Sequence, residues 1–347
     1  MDHFFTAIEE RAHPEYKGQP VVVGADPKDG KGRGVVSTCN YEARRFGIKS
    51  AMPISKAWKR CPTAVFLPVN YKLYGKVSSE IMSILRRYAD KSEQFGIDEA
   101  FLDVSSRARD FEAARKLAQQ IKKVIFDKER LTCSIGIAPN KLVAKIASDF
   151  EKPDGLTLVE DKDVESFLSP LPVSKLWGIG KKTERRLNEM GIKTTGDLAA
   201  YDASILAEKF RALGAHFSQM AHGIDRSPVQ VEWEAKSMSR DVTFEEDTSD
   251  QKLILETLDE LCEELYKEVR ESNLFFRTVT VKIRYKNFET HTHSKTLPFL
   301  TNRLMDLQKT VHELAQPFLQ PERKIRLVGA KVSRFVSGEK QKTLICS

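Results

Sequence analysis

Two adjacent carboxylates, Asp98 and Glu99, stand inside the otherwise apolar run Phe95-Gly96-Ile97-Asp98-Glu99-Ala100-Phe101-Leu102-Asp103. Charge in such a run is costly unless something neutralises it, and hard Mg²⁺, which prefers carboxylate oxygen, can do so. Successive strand residues point to opposite faces, so the pair could reach one metal only at a turn or sharp twist. A solvated turn between two strands is the competing reading. A second run, Ser134-Ile135-Gly136-Ile137-Ala138-Pro139-Asn140-Lys141 through Ser148, reads as a strand entering a helix and closes on Lys152-Pro153-Asp154-Gly155. Free N–H groups at such a helix start form a natural anion site, and Lys152 at the next turn is placed for a phosphate; ordinary strand–helix packing would look the same. Tyr41 and Arg44, three apart in Thr38-Cys39-Asn40-Tyr41-Glu42-Ala43-Arg44, share one face of a helical turn. A phenol and a guanidinium together donate well to phosphate oxygens, although a solvated helix with one core tyrosine also fits.

A fourth pattern is Leu176-Trp177-Gly178-Ile179-Gly180-Lys181-Lys182-Thr183, followed by Arg185, Arg186 and a second turn at Gly191-Ile192. It resembles the helix-hairpin-helix motif, in which Gly178 and Gly180 would let the backbone approach a DNA phosphate while Lys181 and Lys182 add charge; a purely structural turn is the competing reading.

The elements that must position these groups follow from periodicity. Ile97 to Val104 is apolar and β-compatible. Asp110 caps a helix whose stripe is Phe111, Ala114, Leu117, Ile121, Val124 and Ile125. Leu131, Cys133, Ile135 and Ile137 alternate as a strand, Pro139 suits the first turn of the next helix, and Leu156 to Val159 restarts a strand. This predicts one sheet with helices packed on it. Residues 170 to 226 read as short helices punctuated by glycine, and 227 to 236 as a linker. Beyond the linker, strands over 237–244, 278–285 and 325–335 alternate with helices near 251–271 and 302–314. The whole is an α/β and α+β multidomain chain, and 347 residues suit two to four compact units.

Composition excludes several classes. No stretch approaches the ~20 apolar residues of a membrane span, and Met1-Asp2-His3-Phe4-Phe5 lacks the basic start of a signal peptide. Five scattered cysteines without a C-x-x-C pair predict reduced thiols, no zinc site and a cytoplasmic location. The net charge of +7 is segregated: residues 241–270 hold eleven acids and three bases, while 323–347 hold seven bases and one acid. A basic face with an acidic outer one suits a nucleic-acid partner.

The order Tyr41-Glu42-Ala43-Arg44, Ile97-Asp98-Glu99-Ala100, Ser134-Ile135-Gly136-Ile137 with Asn140-Lys141, Lys152-Pro153, Gly178-Ile179-Gly180 and Ser237-Met238-Ser239-Arg240 resembles that of Y-family DNA polymerases of the DNA polymerase IV type. The likeness runs from Asp2 to about Phe335. It implies a right-hand architecture: a palm (1–3 and 70–159), small fingers (4–69), a helical thumb with the helix-hairpin-helix (160–226), the linker and a little finger (237–347). By motif match, Asp98 and Glu99 would be catalytic carboxylates binding two Mg²⁺. Tyr41, Arg44, Thr38 and Lys152 would hold the incoming dNTP, and Ser37 would lie against the nascent base pair. Phe5 falls where the family places an aromatic that excludes a ribose 2′-OH, and the residues alone equally make it helix core beside Ile8. Arg240, Lys331 and Arg334 would contact phosphates of primer-template DNA. The activity implied is low-fidelity, lesion-bypassing DNA synthesis by a monomer.

Two departures bear on this. Family members open with an apolar strand ending in Asp-Met-Asp-x-Phe-Phe, whose first aspartate bridges both metals. The sequence given starts at Met1-Asp2, so Asp2 takes the second place and the palm sheet is expected to lack a strand, exposing an edge. Either the working protein carries the missing segment ahead of Met1, or the chain is as short as given and binds DNA as a repair or scaffold protein with little chemistry. The tail Gln341-Lys342-Thr343-Leu344-Ile345-Cys346-Ser347 begins like a sliding-clamp peptide but lacks its aromatic pair, so a clamp partner has no support in the sequence.

Overall fold

Short polar caps and apolar stripes set most element boundaries in the computed structural model, which describes residues 1–232 and 234–338. The chain divides into two units, Met1–Glu232 and Trp233–Ser347, with the boundary inside the expected linker.

The first unit opens with α1 (Phe4–Ala12), then β1 (Val21–Gly24), β2 (Val36–Cys39), α2 (Tyr41–Arg45), α3 (Ile54–Arg60) and β3 (Val65–Leu67). The three strands form one sheet in the order β2-β1-β3, antiparallel on one side and parallel on the other. Val22, Val36, Cys39, Ala43, Ile54 and Ala57 make its core. The buried Phe4, Phe5 and Ile8 of α1 instead join a second core, with Tyr74, Val77 and Ile81 of α4 (Tyr71–Arg87).

Next come β4 (Lys91–Gln94), β5 (Ala100–Asp103), α5 (Phe111–Glu129), β6 (Ile135–Ile137), α6 (Lys141–Ser148) and β7 (Leu156–Leu158). Asp110 caps α5 as predicted, accepting from the Ala113 N–H at 2.7 Å. The structure shifts three element boundaries from those expected. The strand predicted over 97–104 begins only at Ala100, because the N–H groups of Phe95 and Gly96 both donate to the Glu99 carbonyl and close a turn at Asp98 and Glu99. The strand predicted from Leu131 is assigned only over Ile135–Ile137. Pro139 precedes α6 rather than opening it, since the Asn140 side chain accepts from the Val143 N–H and is the N-cap.

In place of one sheet there are two ladders, antiparallel β4–β5 and parallel β6–β7. No described strand joins them. The N–H groups of Met1 and Asp2 reach into this region, to the carbonyls of Asp98 (2.8 Å) and Thr132 (3.3 Å).

β6 and α6 lie close together because residue 136 is glycine: a Cβ there would come within 2.1 Å of the Ala144 carbonyl oxygen. The other face of α6, with Leu142, Val143 and Ile146, packs into a helical layer made by α7 (Val164–Leu168), α8 (Lys181–Glu189), α9 (Thr195–Ala199), α10 (Ala203–Phe210) and α11 (Ala212–Ala221). Lys141 and Lys145 are therefore left to meet the β4–β5 hairpin.

The second unit contains β8 (Ser237–Thr248), α12 (Gln251–Glu271), β9 (Leu274–Tyr285), β10 (Thr290–Thr301), α13 (Leu304–Ala315), β11 (Ile325–Ser333) and β12 (Val336–Ser337). Its main sheet runs β10-β9-β11-β8, with β12 pairing β9. Leu258, Leu261 and Leu265 of α12 and Val311 of α13 pack on Val279, Val281, Val328 and Ala330 of the sheet. β10 has no counterpart in the sequence reading, since Thr290-His291-Thr292-His293-Ser294-Lys295 lacks an apolar alternation.

Candidate active site

The hairpin turn makes the adjacent carboxylates useful. On a regular strand Asp98 and Glu99 would point to opposite faces; at the turn both line a cleft of about 460 Å³ with Lys145, Ser148 and Lys152. Burial, reinforced by the neighbouring Glu99 charge, pushes the Asp98 pKa up, while the Met1 ammonium and Lys152 pull against that shift. The ammonium lies 4.0 Å from the Asp98 carboxylate.

Two lysines one turn apart on α6 meet the two ends of the hairpin. Lys141 Nζ donates to Glu93 Oε2 at 2.8 Å, and Lys145 Nζ donates to Glu99 Oε1 at 3.0 Å. Glu93 is almost wholly buried, and the same oxygen also accepts from the Gln230 N–H at 2.8 Å. Asp149, which ends α6, accepts from Lys145 at 3.1 Å and pairs with Lys152 at 2.6 Å. None of Glu93, Lys145 or Asp149 was singled out from the sequence. The available signal was the i, i+4 repeat Lys141/Lys145, followed at the same spacing by Asp149.

The start of α6 is not an open anion site, so of the two readings of Ser134–Ser148 ordinary strand–helix packing is the one that stands. Asn140 holds the Val143 N–H, and Asp225 Oδ2 accepts the Leu142 N–H at 3.1 Å. Lys152 sits at the following turn, as expected. That turn is fixed by Asp2, a buried carboxylate that accepts from Ser134 Oγ (2.7 Å) and from the Asp154 N–H (2.9 Å). Burial pushes the Asp2 pKa up, but these hydrogen bonds outweigh it and hold the group below the usual carboxylate value.

Tyr41 and Arg44 share a face of α2, the guanidinium carbon lying 4.6 Å from the ring centroid. Tyr41 Oη is buried and has no hydrogen-bond partner among the described residues. Burial pushes its pKa up. A buried, unpartnered hydroxyl is a cost that a ligand oxygen would relieve. Thr38 lies half-buried on β2, opposite Val23. Phe5 is buried on α1, its ring stacked on Tyr74 at 4.3 Å with Tyr71 edge-on at 6.4 Å.

In the helical layer Gly178 adopts φ +97°, which favours glycine, and Gly180 is the N-cap of α8 with Lys181 and Lys182 exposed behind it. In the second unit Lys331 is exposed on β11, opposite Ser239 and Thr280, and Arg334 follows the strand with φ +58°. Arg240 belongs to the other face. It is in register with Ala330 and pairs with Glu268 (2.6 Å) and Glu264 (3.5 Å) of α12.

Residues 1–149 match the model of the impB/mucB/samB family, 161–192 the IMS family HHH motif and 235–344 the impB/mucB/samB family C-terminal domain. A protein named DNA polymerase IV 2 from Methanosarcina mazei is 46% identical over 345 residues, 99% of this chain and 93% of that protein. The DNA polymerase IV of Methanoculleus marisnigri is 49% identical over 338 residues, 97% of this chain and 93% of its relative. The chain belongs to the Y family of DNA polymerases. Among solved Y-family structures, a chimera described as Dbh-Dpo4(243-245)-Dbh superposes with a TM-score of 0.89 at 33% identity, covering 97% of this chain and 98% of the other. An insertion ternary complex of Dbh DNA polymerase gives 0.67 at the same identity and coverage. The Y-family architecture of palm, fingers, helix-hairpin-helix thumb and little finger is thus that of this chain.

Proposed function

We propose that this Y-family polymerase adds dNTPs to a primer 3′-OH on a DNA template, including across damaged template positions, with the Asp98–Glu99 turn as its catalytic centre. The observation that carries this is the pair of carboxylates on one turn, opening on a cleft with Lys145 and Lys152. A non-catalytic DNA scaffold has no use for that arrangement.

The donor set fits a divalent cation. Mg²⁺ is commonly held by one or two carboxylates completed by substrate phosphates, and Asp98 and Glu99 supply that number; among the described residues no third acidic, histidine or cysteine side chain joins them. Bound there, Mg²⁺, expected as a pair, would neutralise phosphate charge and favour the deprotonated primer hydroxyl. The chain's own residues do the rest. Tyr41 Oη, Arg44, Thr38 and Lys152 bind the triphosphate, and most of the rate comes from positioning and charge stabilisation. Phe5, braced by Tyr74, meets the sugar. Gly178, Gly180, Lys181 and Lys182 grip duplex phosphates from residues 160–226, the thumb, and Lys331 and Arg334 do so from residues 237–347, the little finger. Residues 1–3 and 70–159 form the palm and 4–69 the fingers. The enzyme works as a cytoplasmic monomer. The clamp-like tail 341–347 lies outside the described residues.

The test is primer extension with Mg²⁺ and dNTPs, run on this chain and on the same chain with the family's apolar strand and aspartate added ahead of Met1. Lengthening that stops in Asp98→Ala and Glu99→Ala, with primer-template binding kept, supports the reading. Binding without extension in both chains would restore the scaffold, and a shortened primer would indicate a nuclease.

A further inference from the structure

We propose that Asp149 is a positioning residue that sets Lys152 for the incoming triphosphate and, through Lys145, ties that setting to Glu99. The inference rests on the polymerase reading above. Four side chains alternate in sign: Glu99 Oε1 to Lys145 Nζ at 3.0 Å, Lys145 Nζ to Asp149 Oδ2 at 3.1 Å, and Asp149 Oδ1 to Lys152 Nζ at 2.6 Å. Asp149 thus commits one oxygen to each lysine.

Stability does not explain the chain of charges. The Asp149 and Lys152 side chains are 44% and 27% exposed, and ion pairs this open contribute little to folding. Position is the better explanation. Lysine is a point charge on a flexible four-carbon stem, and ordering such a stem on binding weakens affinity. Here the backbone under Lys152 is already fixed, because Asp2 Oδ2 accepts from the Asp154 N–H, and Asp149 fixes the side chain. The carboxylate does not spoil the field for an anion, since Lys145, Asp149 and Lys152 together carry a net positive charge. Lys145 places the same carboxylate one contact from Glu99, so a group that turns towards metal and a group that turns towards phosphate share one anchor.

The experiment measures dATP binding opposite template thymine, with Ca²⁺ in place of Mg²⁺ and a primer ending in a 2′,3′-dideoxynucleotide, so that no bond forms. Asp149→Asn should weaken dATP binding about five- to tenfold, the loss expected from freeing one long side chain, with primer-template affinity unchanged. On an extendable primer with Mg²⁺ the loss should fall on KM rather than kcat. Asp149→Glu should recover most of it. Added to Lys152→Ala, Asp149→Asn should cost nothing further, because the two act as one unit. Unchanged or tighter dATP binding in Asp149→Asn, or a loss that adds fully to that of Lys152→Ala, would overturn the proposal while leaving the polymerase intact. A wild-type chain that extends no primer in either form would overturn the polymerase reading and this proposal with it.

Discussion

Asp2 shows how much one buried side chain can be asked to hold. Its carboxylate accepts from Ser134 and from the turn that carries Lys152, and is held below its ordinary pKa against the push of burial. A folded-state pKa below the unfolded one means that the stabilisation is complete above the unfolded value, about 3.9, and is lost as pH falls through the folded one. Asp2→Asn should therefore cost about 1.5–3 kcal/mol at neutral pH, as expected for hydrogen bonds to a charged group. In urea titrations the difference from wild type should narrow as pH falls below that unfolded value. A gap that stays constant down to acid would refute the assignment. Phe5 is a second single-residue case. Its ring is both core and braced against Tyr74, so Phe5→Ala should lose packing stability and, separately, admit ribonucleotides. Unchanged discrimination between dATP and ATP in the folded variant would leave Phe5 as core alone.

At the scale of elements, α6 is the piece around which the site is assembled. One face is glued to the helical layer by Leu142, Val143 and Ile146, the approach to β6 depends on Gly136, and Lys141 and Lys145 pin the β4–β5 hairpin from the other side. Removing Glu93 would strand Lys141, whose side chain is only 11% exposed, and would free the Gln230 N–H. Glu93→Ala should then cost about 3–5 kcal/mol, the usual penalty for leaving one partner of a buried pair; a midpoint shift worth under about 1 kcal/mol, the surface-pair range, would show the pair to be dispensable. Much of this scale was legible from local signals. The Asp110 cap, the α5 stripe and the Tyr41–Arg44 face follow from spacing alone. What could not be read were facts of tertiary pairing. The strand over 97–104 shortens because the Glu99 carbonyl closes a turn, β10 has no alternation to announce it, and the α6 N-terminus is taken by Asp225, distant in sequence. Lys145 and Asp149 carry no apolar or motif signal and gain meaning only when Glu99 and Lys152 are brought to them.

Across the whole molecule, charge decides the partner. Six of the eleven acids of 241–270 lie on α12, where Glu264 and Glu268 hold Arg240, while Lys331 projects from the face of β11 opposite that of Arg240. Each phosphate neutralised contributes about −0.9 to the slope of log K against log salt. Lys331→Ala should lower the steepness by about 1 and Arg240→Ala should leave it unchanged. A reversed pattern would mean that Arg240 leaves its carboxylates for DNA. The central claim, that the Asp98–Glu99 turn is where bonds are made, is tested most directly by single-turnover incorporation of the complementary dNTP with Mg²⁺. The comparison is wild type against Glu99→Ala, both carrying the family's aspartate ahead of Met1. The account predicts a rate lower by at least about 10²-fold in the variant, the scale of losing one key stabilising group, at unchanged primer-template affinity. Equal rates in the two proteins would contradict it.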